Sequence, residues 1–188
     1  NKKFSTSLFE SLLKTISHRG PDSNGVFNFK NFIFGMNRLS IIDKESGDQP
    51  MSSDNGDYKI IFNGEIYNYK ELRKDLELNN EKFKTKSDTE VVLKLFIKYG
   101  EECLNKLNGM FALAIFRIST NEIFIARDRF GKKPLYYYND KDIFMFSSEL
   151  TPIIRSKLKN FEINLKAIMD YLSLWYISEP KTIIENVF

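Results

Sequence analysis

Met110 to Ile118 reads MFALAIFRI, Glu122 to Arg127 reads EIFIAR, Leu135 to Tyr138 reads LYYY and Ile143 to Ser147 reads IFMFS. These runs are short and apolar or alternating, and turn residues part them: Thr120-Asn121, then Gly131, then Asn139-Asp140. Such punctuation spells an antiparallel meander. Upstream, helical spacing dominates. Ser7-x-x-Glu10 is a capping-box pattern followed by Leu8, Leu12, Leu13 and Ile16, which predicts a helix from Ser7 to Ser17. His18-Arg19-Gly20-Pro21-Asp22 stops it. Ser87-Asp88-Thr89-Glu90 is a second capping box; Val92, Leu95, Phe96 and Tyr99 form its apolar stripe, and Gly100 is its C′ residue. Tyr69 to Leu78 predicts a short helix and Leu165 to Tyr176 a last one. Strand-like runs cover Gly25 to Phe29, Phe32 to Ile42 and Tyr58 to Phe62, the last ending at Asn63-Gly64. Helices and antiparallel strands mixed without strict βαβ alternation define an α+β class, with helices covering sheet faces and strands enough for two sheets.

Composition narrows the chemistry. The chain has 188 residues, 28 basic and 25 acidic side chains, one cysteine and one histidine. This length buries roughly 70% of the unfolded surface without staples. A lone Cys103 excludes an internal disulfide framework, and one Cys with one His cannot assemble a Cys/His zinc site. The net charge of +3 is mild and its Lys and Arg are scattered, so no nucleic-acid partner is expected. The longest apolar run, Met110 to Phe116, falls far short of the ~20 residues of a membrane span, so no membrane partner is expected either. No secretory leader pattern is visible at Asn1, and a cytoplasmic setting is expected. Neither a G-x-G-x-x-G nor a G-x-x-x-x-G-K-[ST] phosphate loop occurs, so no cofactor is expected in this domain.

Several polar segments suit a small-molecule site. Asn63-Gly64 reads either as a turn or as an oxyanion hole, in which the Asn amide and a backbone N–H beside Gly meet a reacting carbonyl. Asp88 is favoured by the macrodipole at a helix start, or holds a substrate ammonium. Arg38, flanked by apolar residues, needs a partner, which is a structural carboxylate or a substrate carboxylate. His18 lies in a Gly/Pro turn and is expected to orient a loop rather than act as a base.

Taken together the motifs are specific. They are His18-Arg19-Gly20-Pro21-Asp22, Arg38-Leu39-Ser40-Ile41-Ile42-Asp43, Gln49-Pro50-Met51, Phe62-Asn63-Gly64-Glu65-Ile66-Tyr67-Asn68, Ser87-Asp88-Thr89-Glu90, Leu107-Asn108-Gly109-Met110-Phe111-Ala112, the run Arg127 to Tyr137, and Ser147-Ser148-Glu149. In this order they resemble the N-terminal glutaminase domain, a class II glutamine amidotransferase, of glutamine-hydrolysing asparagine synthetases. The likeness runs from about Leu8 to Leu150.

The resemblance implies an N-terminal-nucleophile hydrolase fold, a four-layer αββα sandwich with two antiparallel sheets. Residues 1–155 would form the glutaminase domain. Residues 156–188 would form a linker helix and the start of a synthetase domain. Arg38 would bind the α-carboxylate of L-glutamine, with Leu39, Ser40, Ile41 and Ile42 lining the site. Asn63 and Gly64 would form the oxyanion hole; Glu65 and Asp88 would hold the α-ammonium. An N-terminal Cys thiolate would attack the side-chain amide, its own α-amine acting as base. Ammonia would pass to the second domain, where ATP and magnesium activate L-aspartate. No metal is expected here, and a homodimer is one assembly open to the parent protein. At the decisive position residue 1 is Asn, and the family spacing places the nucleophile upstream of it. The chain itself is therefore expected to be inactive, with Cys103 a structural thiol. Two other readings stay open: a relative with a non-catalytic glutaminase-like domain, akin to β-lactam synthetases or sugar- and peptide-amidating enzymes, and a non-enzymatic glutamine-binding or dimerisation module.

Overall fold

A computed structural model describes residues 5–40, 42–43 and 45–188. Its centre is an antiparallel sheet of order β3-β4-β5-β6, with β3 Met51–Ser52, β4 Tyr58–Ile66, β5 Gly109–Arg117 and β6 Glu122–Arg127. Alternation decides what each face does. Ile60, Phe62 and Ile66 on β4, with Phe111, Leu113 and Ile115 on β5, point to one side and are buried. There they meet Leu76 of α2 (Tyr69–Leu78) and Val91, Val92 and Leu95 of α3 (Asp88–Tyr99). α3 is buried almost all round its first two turns because the sheet covers one flank and α2 another.

The opposite face looks across a cleft at a second layer of two hairpins. β1 (Ser23–Phe29) pairs with β2 (Phe32–Arg38), and β7 (Tyr136–Asn139) pairs with β8 (Phe144–Ser147). Phe32 stacks on Phe116 of β5 at 4.5 Å between ring centroids, and Phe27 and Phe29 tilt against the same ring. Outside the hairpins, α1 (Thr6–Lys14) packs on β2 and α4 (Leu150–Arg155) on β7 and β8. The order helices, sheet, hairpins, helices is the expected αββα sandwich. Its second layer consists of separate hairpins, so the expected meander is divided: β5-β6 belongs to one layer and β7-β8 to the other.

The segment that divides it is residues 128–134, wound around Asp128. Its carboxylate accepts N–H groups of Phe111, Phe130, Lys132 and Lys133 at 3.0–3.2 Å. Burial pushes the Asp128 pKa up, but these donors outweigh it and the net shift is downward.

Several expected boundaries move: the first helix ends at Lys14 rather than Ser17, β2 at Arg38 rather than Ile42, and the last helix at Leu174 rather than Tyr176. The cap of α1 is Ser5, whose Oγ accepts the Leu8 N–H, so Ser7 lies inside the helix and the Ser7 box is not used. β4 does not end at Phe62 but runs through Asn63-Gly64 to Ile66, paired throughout with β5. α5 (Leu165–Leu174) follows, and the last residues return to β7: the backbones of Tyr137 and Phe188 exchange two hydrogen bonds, and Val187 is buried. Val187 and Phe188 are thus docked against β7, Phe188 only in part. No helix among the described residues is long and apolar enough to cross a membrane.

Candidate functional site

The cleft between the layers encloses about 1560 Å³. Arg38, Leu39, Ile42, Asn63, Gly64, Glu65 and Asp88 all line it. Ser40 does not: its N–H donates to Asp22 Oδ2 at 2.7 Å, and it lines a smaller hollow beside Arg38 and Asp48. Ile41 and residues 1–4 lie outside the described residues.

β4 organises the site through its edge. The odd-numbered residues of β4 bond to β5 and the even ones turn their N–H and C=O away, as antiparallel pairing requires. Tyr58 bonds to Ser53, and Ile60 faces Met51 of β3. Past the end of β3 the partners become side chains. The Phe62 N–H donates to Gln49 Oε1 at 2.6 Å, and the Ile66 N–H donates to Asp88 Oδ2 at 3.1 Å. Gly64 stands between them, at the cleft. It faces Phe111 across the ladder, whose own N–H and C=O are engaged with Asp128. The Gly64 N–H is therefore aimed along the open edge, two residues from a carboxylate. The neighbouring Asn63 side chain points into the cleft because strand alternation turns it away from the core-facing Phe62, and its register partner Ala112 is small enough to leave room beside it.

Gly64 is not a turn residue. A Cβ there would come within 2.2 Å of the Met110 carbonyl oxygen and 2.7 Å of Phe111 Cα, so any side chain would push β5 off β4. Glycine serves the close pairing that holds the edge in place.

Asp88 is the first residue of α3, after the N-cap Ser87, whose Oγ accepts the Thr89 N–H at 3.1 Å. Glu90 does not close the expected capping box. Its carboxylate accepts from Lys84 N, Thr85 N and Thr85 Oγ1 and so fixes the loop before the helix. Burial pushes the Asp88 pKa up. N–H groups of Ile66, Thr89 and Asp88 itself counter this in part, and nearby Glu65 adds to the rise. A buried carboxylate with raised pKa at a cleft is suited to a cation.

Arg38 is buried at the end of β2. Its Nη2 donates to the carbonyls of Ile42 (3.0 Å) and Asp43 (2.6 Å). Gly47 lets this loop close, since a Cβ would sit 2.4 Å from Nη2. Nη1 faces the exposed Asp48 at 3.5 Å. His18 lies away from the cleft, its Nε2 2.8 Å from Glu149 Oε1, consistent with a loop-orienting part. Cys103 is in the core behind the sheet, where burial pushes its thiol up to about 11. Residues that sequence reasoning left out of the site are Gln49 and Thr89, although both stand in motifs it singled out.

The sandwich and its cleft have the architecture of the N-terminal-nucleophile hydrolase fold. The structure is similar to a glutamine phosphoribosylpyrophosphate amidotransferase from B. subtilis (TM-score 0.65, 22% identity, 80% of this chain and 41% of that one). It is also similar to an allosteric regulatory enzyme of purine biosynthesis (TM-score 0.55, 27% identity, 65% of this chain and 29% of that one). The model of the glutamine amidotransferase domain matches residues 1–188, and the chain belongs to this family. It is 44% identical to asparagine synthetase [glutamine-hydrolyzing] 1 of Bacillus subtilis over 96% of this chain and 28% of that protein. It is 43% identical to putative asparagine synthetase [glutamine-hydrolyzing] 2 of Methanocaldococcus jannaschii over 93% of this chain and 38% of that protein. The chain thus spans well under half the length of these relatives.

Proposed function

We propose that this chain is the glutamine-hydrolysing domain of an asparagine synthetase. The observation that carries the reading is the edge of β4. The Gly64 N–H lies between two capped neighbours, with Asn63 projecting beside it and Asp88 fixed two residues on. Asp88, with Glu65, takes the α-ammonium of glutamine, Arg38 Nη1 takes its α-carboxylate in place of Asp48, and the side-chain carbonyl points at Asn63 and Gly64. Those donors stabilise the oxyanion that forms when a thiolate attacks. The thiol is not Cys103, which is buried on the far side of the sheet and almost wholly protonated near neutrality.

Ammonia then serves the ATP- and magnesium-dependent amidation of aspartate in a second domain, in the cytoplasm, where a single unpaired thiol is ordinary. The described residues bring together no cluster of His, Cys, Asp and Glu able to hold a metal. Residues 1–155 form the glutaminase unit and 156–188 lead to the second domain. Exposed Leu165, Met169, Leu172 and Trp175 on and beside α5 support this division, as an apolar face of that size calls for a partner.

Calorimetry of glutamine with the 188-residue chain tests the site. The wild-type chain binds glutamine and Asp88→Ala does not; equal binding by both removes Asp88 from the site. Absence of glutaminase activity in the full-length protein overturns the reading as a whole.

A further inference from the structure

Gln49 is half-buried at the cleft, and its carboxamide does the work of a missing strand residue. β3 stops at Met51, and the next residue back along the β4 edge is Pro50, which has no N–H to give. At Phe62 the side chain of Gln49 replaces the backbone. Oε1 accepts the Phe62 N–H at 2.6 Å and Nε2 donates to the Phe62 carbonyl at 3.2 Å. Nε2 also donates to Thr89 Oγ1 at 3.3 Å. Phe62 precedes Asn63, and Thr89 follows Asp88. One amide therefore ties the strand that presents the oxyanion donors to the helix start that presents the carboxylate. Its own loop, through Ile42, Asp43 and Asp48, wraps Arg38. Both N–H bonds of the carboxamide are taken by protein groups, so it has no donor left for a ligand.

We infer that Gln49 is a positioning residue for glutamine hydrolysis, holding the Gly64 N–H and Asp88 in mutual register without touching the substrate. The inference rests on the glutaminase reading. Only an amide of this length serves. Glu at this position has no donors and sets a carboxylate oxygen against the Phe62 carbonyl; Leu keeps the volume and loses all the bonds.

The test is steady-state glutaminase kinetics on the full-length protein with Gln49→Glu and Gln49→Leu, alongside thermal melting. The expected result is a fall in kcat of at least tenfold in both variants, with KM changed less than threefold, because a displaced oxyanion donor weakens the transition state more than the ground state. Active wild-type protein whose variants match it in kcat per folded molecule overturns the role of Gln49 and leaves the glutaminase reading standing. Variants whose KM rises tenfold at unchanged kcat also overturn it, by making Gln49 a substrate contact. Wild-type protein that hydrolyses no glutamine overturns the reading itself, and this inference with it.

Discussion

On the side facing the helices, the β4–β5 pair presents Ile60, Phe62, Ile66, Phe111, Leu113 and Ile115, all shut off from solvent. On the side facing the hairpins it presents Ile61, Asn63, Glu65, Ala112 and Ala114, with Phe116 at one end. The same two strands are close-packed on one face and kept apart from the opposing layer on the other. Small residues at 112 and 114 leave the room, while the Phe116 cluster acts as a spacer at one end. The first face holds the packed core and the second lines the cleft, and the edge of β4 connects them.

Substitutions can separate the two. The largest effect is expected for Asp88→Asn, with glutamine affinity falling at least a hundredfold by calorimetry, as for truncation of a buried charge partner. Its stability should move the other way. Because burial raises the Asp88 pKa, its stabilising preference for a proton is complete below the usual carboxylate range and is lost as pH rises through the raised value. Asn cannot ionise, keeps an acceptor for the Ile66 N–H, and should melt at or above the wild-type temperature at pH 7. In the wild-type chain, glutamine affinity should weaken on acidification at a higher pH than an ordinary Asp, about 3.9, would allow.

Leu113→Ala attacks the packed face. It should cost about 2–5 kcal/mol in denaturant unfolding and leave glutamine affinity of the folded chain unchanged. Ala112→Leu attacks the open face, filling the space opposite Asn63. Affinity should fall about tenfold, or 1.4 kcal/mol, with a smaller change in stability. Ser87→Ala removes the cap of α3 and should cost ~1 kcal/mol in stability, shared by both faces because Asp88 is the next residue. The smallest signal belongs to Cys103: in the folded chain it should be alkylated far more slowly than a free thiol, until denaturant exposes it.

What was legible in the sequence was local. The helix Tyr69–Leu78, the strand Glu122–Arg127 and the cap at Ser87 stand where spacing put them, because their signals lie within a few residues. The end of β4 was not. Asn63-Gly64 has turn chemistry, and only pairing with Ala112 and Phe111, nearly fifty positions away, keeps it extended. The division of the meander depends on Asp128 gathering N–H groups from two elements, which no hydropathy period records. Arg38, Asn63, Gly64 and Asp88, which line the cleft, were readable as candidates by chemical type, and Glu65 through the resemblance alone. Gln49 stood in a motif but without a readable part, since an amide standing in for a strand is visible only once β3 is seen to stop beside it.

The edge of β4 also has a metric consequence. N–H groups two residues apart on one strand edge are separated by about 7 Å, a spacing set by covalent geometry rather than by a loop. Ile66 locates the Asp88 carboxylate and Gly64 offers the next donor along. The strand is a ruler laid between the two ends of the proposed substrate. On the proposed reading, an amino acid one methylene shorter than glutamine, held at the Asp88 mark, would stop short of the Gly64 mark. Selection by chain length would then be measured by the pleat of an ordinary strand.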